Sequence, residues 1–208
     1  MEFNSDKWPL EKLATTRRRY GVILADPPWD FESWSEKGTG RSAQQHYDTQ
    51  GTEWICSLGP HIQRLAASNC ILHLWTVQTH IPDALRVMNA WGFKFKTVGF
   101  TWVKLSRNCP PDKWREHFGM GYYTRANPES IYTGETRESF LGRRGDPDVW
   151  SHAVRQLLIA PVREHSAKPD EIYARVQELS PGPYLELFAR PSPARGELWD
   201  SWGIEVGE

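Results

Sequence analysis

Asp26, Pro27, Pro28 and Trp29 follow directly on a short apolar run, Val22-Ile23-Leu24-Ala25, and together they have the means to polarise an amino group. The Asp26 carboxylate accepts hydrogen bonds and donates none. Two successive prolines fix φ and lack N–H groups, so the carbonyls of the turn are expected to be acceptors without competing donors nearby. Trp29 adds a broad π face. Acceptors beside a stacking platform suit a planar ring with an exocyclic amino group, as in adenine or cytosine. The same four residues also make sense as a rigid turn followed by a core tryptophan, so the tetrapeptide alone leaves both readings open.

The elements that must carry these residues are legible around them. An apolar run bounded by prolines reads as a buried strand whose carboxyl end delivers Asp26, and that edge is where open α/β sheets bind ligands. Near the other end, PVREHSAKPDEIYARVQELS carries a helix start: Ser166, then Lys168-Pro169-Asp170-Glu171, with proline at an early helical position and acids in the first turn. Ile172, Val176 and Leu179 mark its buried face, and Ser180-Pro181-Gly182 ends it. A strand from Tyr184 to Phe188 then emerges at Ala189-Arg190-Pro191. A lysine in the first helical turn opposes the helix dipole, which points to a role for Lys168 beyond stability.

Between these two regions Thr52 reads as the cap of one helix, with Trp54, Ile55, Leu58, Ile62 and Leu65 on its buried face. A strand over 70–76 contains His73, read as a core residue, and a helix over 79–91 is stopped by Gly92. Strands over 93–104 and 157–161 follow, with long loops over 30–50, 106–118 and 135–151. The alternation predicts an α/β fold: a parallel sheet with helices on both faces. A polar leader over 1–19 precedes a single domain over 20–208.

Composition narrows the function classes. A chain of 208 residues suits one such domain. Its net charge of −1 and pI near 6.7 give no global attraction to phosphate, so nucleic-acid affinity must come from local patches or a partner. The candidates are Arg17-Arg18-Arg19, Arg143-Arg144, and the scattered Lys104, Arg107, Lys113 and Arg115, each of which also reads as ordinary solvated surface. Cys56, Cys70 and Cys109 are too few and too scattered for a disulfide framework or a zinc site, which predicts a reduced, cytoplasmic setting and no metal. The sequence has no N-terminal apolar segment of the secretory kind and no run of about 18 apolar residues, so a soluble protein is expected. Dinucleotide, phosphate-loop, zinc-deaminase and nucleophile-elbow motifs are all missing.

Three segments resemble the MT-A70 family, the messenger-RNA adenosine N6-methyltransferase and its bacterial and phage DNA-adenine relatives. They are ADPPWDF; LHLWT with the downstream AWGFK and FTWVK; and PVREHSAKPDEIYARVQELSPGPYLELFARP followed by WDSWG. The likeness runs in the family's order from about Tyr20 onward. It implies a Rossmann-like methyltransferase sandwich, mostly parallel, with the catalytic motif permuted ahead of the cofactor strand. S-adenosylmethionine is the implied cofactor. By resemblance Lys168 contacts the cofactor's carboxylate, Arg190 lies against its ribose and adenine side, Phe188 precedes Arg190 at the usual place, and Asp26 borders cofactor and substrate alike. Ser192 stands where the family often reaches the ribose. Glu205 is positioned to accept from a ribose hydroxyl, whereas Ile204 replaces an asparagine and cannot make its amide bonds.

The resemblance also implies a substrate side. The stretch 30–50 would be a gate closed by Tyr47, and GMGYYTRANPESIYTG supplies Tyr122, Arg125, Asn127 and Glu129 as pocket residues. Asp26 and the Pro27 carbonyl would accept the two N–H groups of the target amine, Pro28 would stiffen the turn, and Trp29 would stack on the base. The expected reaction is methyl transfer to adenine N6 in nucleic acid, with DNA favoured over RNA. Cytosine N4 or a small amine, and a non-catalytic subunit of the same fold, are the alternatives. A homo- or heterodimer is compatible with either.

Overall fold

The computed structural model describes residues 15–30, 50–110, 112–116, 128–136, 149–163 and 167–206. Seven strands form one sheet: β1 (Tyr20–Ala25), β2 (Ala66–Val77), β3 (Phe93–Leu105), β4 (Glu129–Thr136), β5 (Leu157–Pro161), β6 (Tyr184–Leu187) and β7 (Trp199–Trp202). Their order is β5-β3-β4-β2-β1-β6-β7. β4 runs antiparallel to both of its neighbours, and every other pairing is parallel.

Successive strand residues point to opposite faces, so each interior strand feeds two cores. From β1, Val22 and Leu24 pack with Trp75, Ile131, Ile172 and Val176, whereas Ile23 and Ala25 pack with Leu72, Leu74, Ile62 and Val87. Fully burying each of the large aliphatic side chains contributes roughly 1.5–3 kcal/mol. The helices α1 (Thr52–Ser57), α2 (Gly59–Leu65) and α3 (Ile81–Ala90) supply the second core, and α4 (Glu171–Leu179) supplies the first. The expected α/β sandwich, with helices on both faces of a mostly parallel sheet, is the observed one. β1 is central: the chain leaves it toward β2 and returns on its other side as β6, so strand order reverses between β1 and β6. Ligands of open α/β sheets bind outside the carboxyl ends at such a point.

Several local expectations need correction. The single helix behind Thr52 is two helices, with Gly51 at the cap and Thr52 already helical. Pro60 in the first turn of α2 has no N–H to continue the ladder from α1. Gly59 also packs so closely on α3 that a Cβ there would lie 2.5 Å from the Ala90 carbonyl oxygen. The helix over 79–91 begins at Ile81 after a 3₁₀ turn, Gln78–His80. β2 starts four residues earlier than expected, and Glu135 and Thr136 belong to β4 instead of a loop. Most telling, α4 begins at Glu171 with Asp170 as its cap. Lys168 and Pro169 therefore precede the first turn and do not sit within it. Ser166 lies outside the described residues, and among those residues no helix is long and apolar enough to cross a membrane.

Candidate active site

The carboxyl edge of the sheet gathers charged groups from four strands. β1 ends at Ala25 and releases Asp26; β6 ends at Leu187 and releases Phe188 and Arg190. Because β4 is antiparallel, its first residue, Glu129, lies at the same edge, opposite Val77 of β2 and Trp102 of β3. Lys104 stands near the end of β3. Lys168, just ahead of α4, completes the set.

These groups alternate in sign. Lys168 Nζ is 2.7 Å from Asp26 Oδ2 and 3.5 Å from Glu129 Oε1, and Lys104 Nζ is 3.1 Å from Glu129 Oε2. Both ammonium groups also lie over indoles, Lys168 at 5.6 Å from the Trp75 ring and Lys104 at 4.8 Å from that of Trp102. Lys104 and Glu129 are buried, whereas the Asp26 side chain keeps 30% of its surface open. A carboxylate held by a lysine yet partly open to solvent is free to meet a ligand with its remaining lone pairs.

The tetrapeptide is fastened on every side. Its carbonyls are not the bare acceptors expected from sequence. Trp29 N–H donates to the Pro27 carbonyl and Gln50 N–H to the Pro28 carbonyl, each at 2.8 Å. A carbonyl has two lone pairs, so among the described residues the Pro27 carbonyl keeps one uncommitted. The Trp29 indole N–H donates to the Trp75 carbonyl at 3.0 Å, and His80 Nε2 donates to the Asp30 carbonyl at 2.9 Å. Trp29 is only 4% exposed, with the His80 ring tilted against it at 5.7 Å. It is a wall of the site more than an open platform.

A cleft beside Asp26 is bordered by Lys168, Phe188, Arg190 and Ser192. Phe188 has φ of 60°, a costly conformation for a residue with a side chain, and it turns the chain sharply out of β6. Its ring is clamped between Trp91 (6.3 Å, stacked) and Trp202 (5.4 Å, edge-on). Behind it Ala189 N–H donates to the Trp202 carbonyl at 2.9 Å, and a Cβ on Gly203 would meet the Ala189 carbonyl oxygen at 2.4 Å. Arg190 Nε pairs with Glu205 Oε1 at 3.2 Å, and the buried Ser192 hydroxyl makes no hydrogen bond of good geometry. Deeper in the cleft, Glu186 accepts from the Tyr173 hydroxyl and from Arg195 at 2.9–3.0 Å. Burial raises the Glu186 carboxyl above its usual range, against the opposing pull of Arg195. Burial, followed by the Glu186 charge, likewise raises the Tyr173 phenol.

Asp26, Pro27, Pro28, Trp29, Lys168, Phe188, Arg190, Ser192, Glu205 and Glu129 are thus brought to one edge. Tyr47, Tyr122, Arg125 and Asn127 lie outside the described residues. Lys104, expected in a surface patch, is a buried partner of Glu129; the signal was a lysine two residues from Trp102 on the same strand face, between apolar neighbours. Gln50 and His80 touch the tetrapeptide only through the fold, and no local pattern announced them. Among the described residues no cluster of three or more His, Cys, Asp or Glu is arranged to hold a metal.

Residues 20–205 match the sequence profile of MT-A70. The chain belongs to the MT-A70 family. Adenine N6-methyltransferases make up this family, so the carboxyl edge just described is the candidate centre of a methyltransferase. This MT-A70 protein is 28% identical over 206 residues to a type II methyltransferase, M.MunI, of a Mycoplasma species, an alignment covering 91% of the chain and 79% of that relative. It is 26% identical to the human N(6)-adenosine-methyltransferase catalytic subunit METTL3 and 27% to an MT-A70-like protein of Medicago truncatula, over 83% of the chain in each case. It spans only about a quarter of those two longer proteins.

Proposed function

We propose that this chain transfers the methyl group of S-adenosylmethionine to the N6 amino group of adenine in DNA, in the cytoplasm. The observation that carries the proposal is an intact Asp-Pro-Pro-Trp turn whose carboxylate, 2.7 Å from Lys168, borders a cleft at the switch point of the sheet. DNA is favoured because the type II methyltransferase is 28% identical to this chain, above the 27% and 26% of the two adenosine relatives.

The cleft suits the cofactor. A buried Ser192 hydroxyl without a good hydrogen bond, an Arg190–Glu205 pair able to meet hydroxyl groups, and the Lys168 ammonium fit a ligand with a carboxylate and a ribose. When bound, the cofactor supplies an electrophilic sulfonium methyl. Asp26 accepts one amine N–H and the free lone pair of the Pro27 carbonyl accepts the other, drawing the nitrogen toward sp³ geometry and stabilising the positive charge it acquires. Lys168 draws electron density from the Asp26 carboxylate, which makes Asp26 a polarising group first and a proton acceptor second. Trp29 and Pro28 fix the turn. A tryptophan pinned by its indole N–H gives the base a fixed edge to rest on, and a base in duplex DNA must be flipped out to reach it. Glu129, with Tyr47, Tyr122, Arg125 and Asn127, is assigned to the substrate side, and the protein acts alone or as a dimer.

Transfer of labelled methyl to matched DNA and RNA oligonucleotides, followed by nucleoside mass spectrometry, tests this. N6-methyladenine in DNA supports it. N6-methyladenosine in RNA alone would move the substrate to RNA, and N4-methylcytosine would overturn the choice of base.

A further inference from the structure

A single ammonium shared by two carboxylates should divide itself between them, yet Lys168 lies 2.7 Å from Asp26 and 3.5 Å from Glu129. The imbalance has a visible source. Glu129 is held from its other side by Lys104, at 3.1 Å, and Glu129 and Lys104 are the two most deeply buried groups of the four. Lys104 is itself fixed from below by Trp102, two residues earlier on the same face of β3, with its ammonium 4.8 Å from the ring. A lysine is almost never buried unless paired, so Lys104 and Glu129 constrain each other.

We propose that Lys104 is a positioning residue for methyl transfer: by neutralising Glu129 it leaves Lys168 committed to Asp26. The inference rests on the reading of Asp26 as the amine acceptor. Its chemistry is a matter of charge balance. Among the described residues the chain Lys104⁺, Glu129⁻, Lys168⁺, Asp26⁻ is neutral and alternating, and removing the first member leaves its two carboxylates competing for its one remaining ammonium. Lys168 is then drawn toward Glu129. Asp26 loses its fixed orientation, and the cleft loses the cation at its end.

Five proteins test this: the wild type, Lys104→Met, Glu129→Gln, the double variant and Lys104→Arg, each compared for methyl transfer to an adenine oligonucleotide and, separately, for the dissociation constant of S-adenosylmethionine. Lys104→Met in the wild-type background is expected to lower kcat by 10-fold or more and to weaken cofactor binding by 3- to 10-fold. In the Glu129→Gln background the same substitution should change either quantity by less than about 3-fold, because no second carboxylate then competes. Lys104→Arg, which keeps the charge, should retain most of the activity. Equal costs in both backgrounds, or no cost in either, would overturn the role of Lys104. The binding cycle does not depend on what is methylated, so a wild type inactive on adenine would count against the proposed function while the binding data still decide on Lys104. Should Lys104→Met fail to fold, the double variant set against Glu129→Gln, together with Lys104→Arg, carries the decision: a 10-fold loss on adding Lys104→Met to Glu129→Gln overturns the proposal.

Discussion

Lys168 Nζ lies 2.7 Å from Asp26 Oδ2, joining two residues 142 positions apart in the chain. This contact ties the strand that carries the catalytic turn to the segment that precedes α4, and it makes one local charge balance of the two halves of the site.

Replacing Lys168 with Met should therefore affect cofactor and catalysis together. Loss of its charge is expected to weaken S-adenosylmethionine binding by 10-fold or more, about 1.4 kcal/mol, and to lower kcat as well. Calorimetric titration beside steady-state kinetics checks this, with circular dichroism to confirm the fold.

His73 gives the fold an acid-sensitive centre. It is wholly buried on β2, its Nδ1 is 3.0 Å from the Thr133 hydroxyl, and burial lowers its pKa from 6.5 to about 4. The unfolded chain binds the proton more readily, so stability is fully present above pH 6.5 and falls as pH drops toward 4. The loss approaches about 3 kcal/mol. Urea unfolding across that window should show a slope that His73→Gln flattens.

Gln50 is buried with neither side-chain amide atom hydrogen-bonded, although its backbone N–H holds the Pro28 carbonyl. An unpaired buried amide costs about 1–3 kcal/mol. Gln50→Leu keeps the volume and the backbone bond, so it should raise the unfolding free energy by about that amount, read from chemical denaturation.

Gly203→Ala acts through backbone. A Cβ there would lie 2.4 Å from the Ala189 carbonyl oxygen and 2.7 Å from its nitrogen. The expected result is destabilisation by about 1–3 kcal/mol, together with weaker cofactor binding as Ala189-Arg190 is pushed out of line. Thermal unfolding and titration of the variant measure both.

How much was legible in the chain follows from what each feature depends on. β1 and its delivery of Asp26 were plain, since an apolar run and two prolines are local signals. The alternation of patterns gave the sandwich for the same reason. The start of α4 was misplaced because a proline and two acids mark a helix beginning only to within a few residues, and Asp170 took the cap. The engaged carbonyls of Pro27 and Pro28 depend on Trp29 turning back and on Gln50 arriving from much further along the chain, which no local pattern encodes. Lys104 was read as surface because a lysine is nearly always exposed, and only the antiparallel pairing of β3 and β4 brings Glu129 to bury it.

The central claim is that Asp26 polarises an adenine amine. Asp26→Ala and the wild type should be incubated with S-adenosylmethionine and an adenine-containing DNA oligonucleotide, the products digested to nucleosides and weighed by mass spectrometry, and cofactor affinity measured on the same preparations. The account predicts N6-methyladenine from the wild type and a loss of 10³-fold or more in the variant, on the order expected when a transition-state contact is removed, with cofactor affinity within about 10-fold. Comparable yields of N6-methyladenine from both proteins would contradict it.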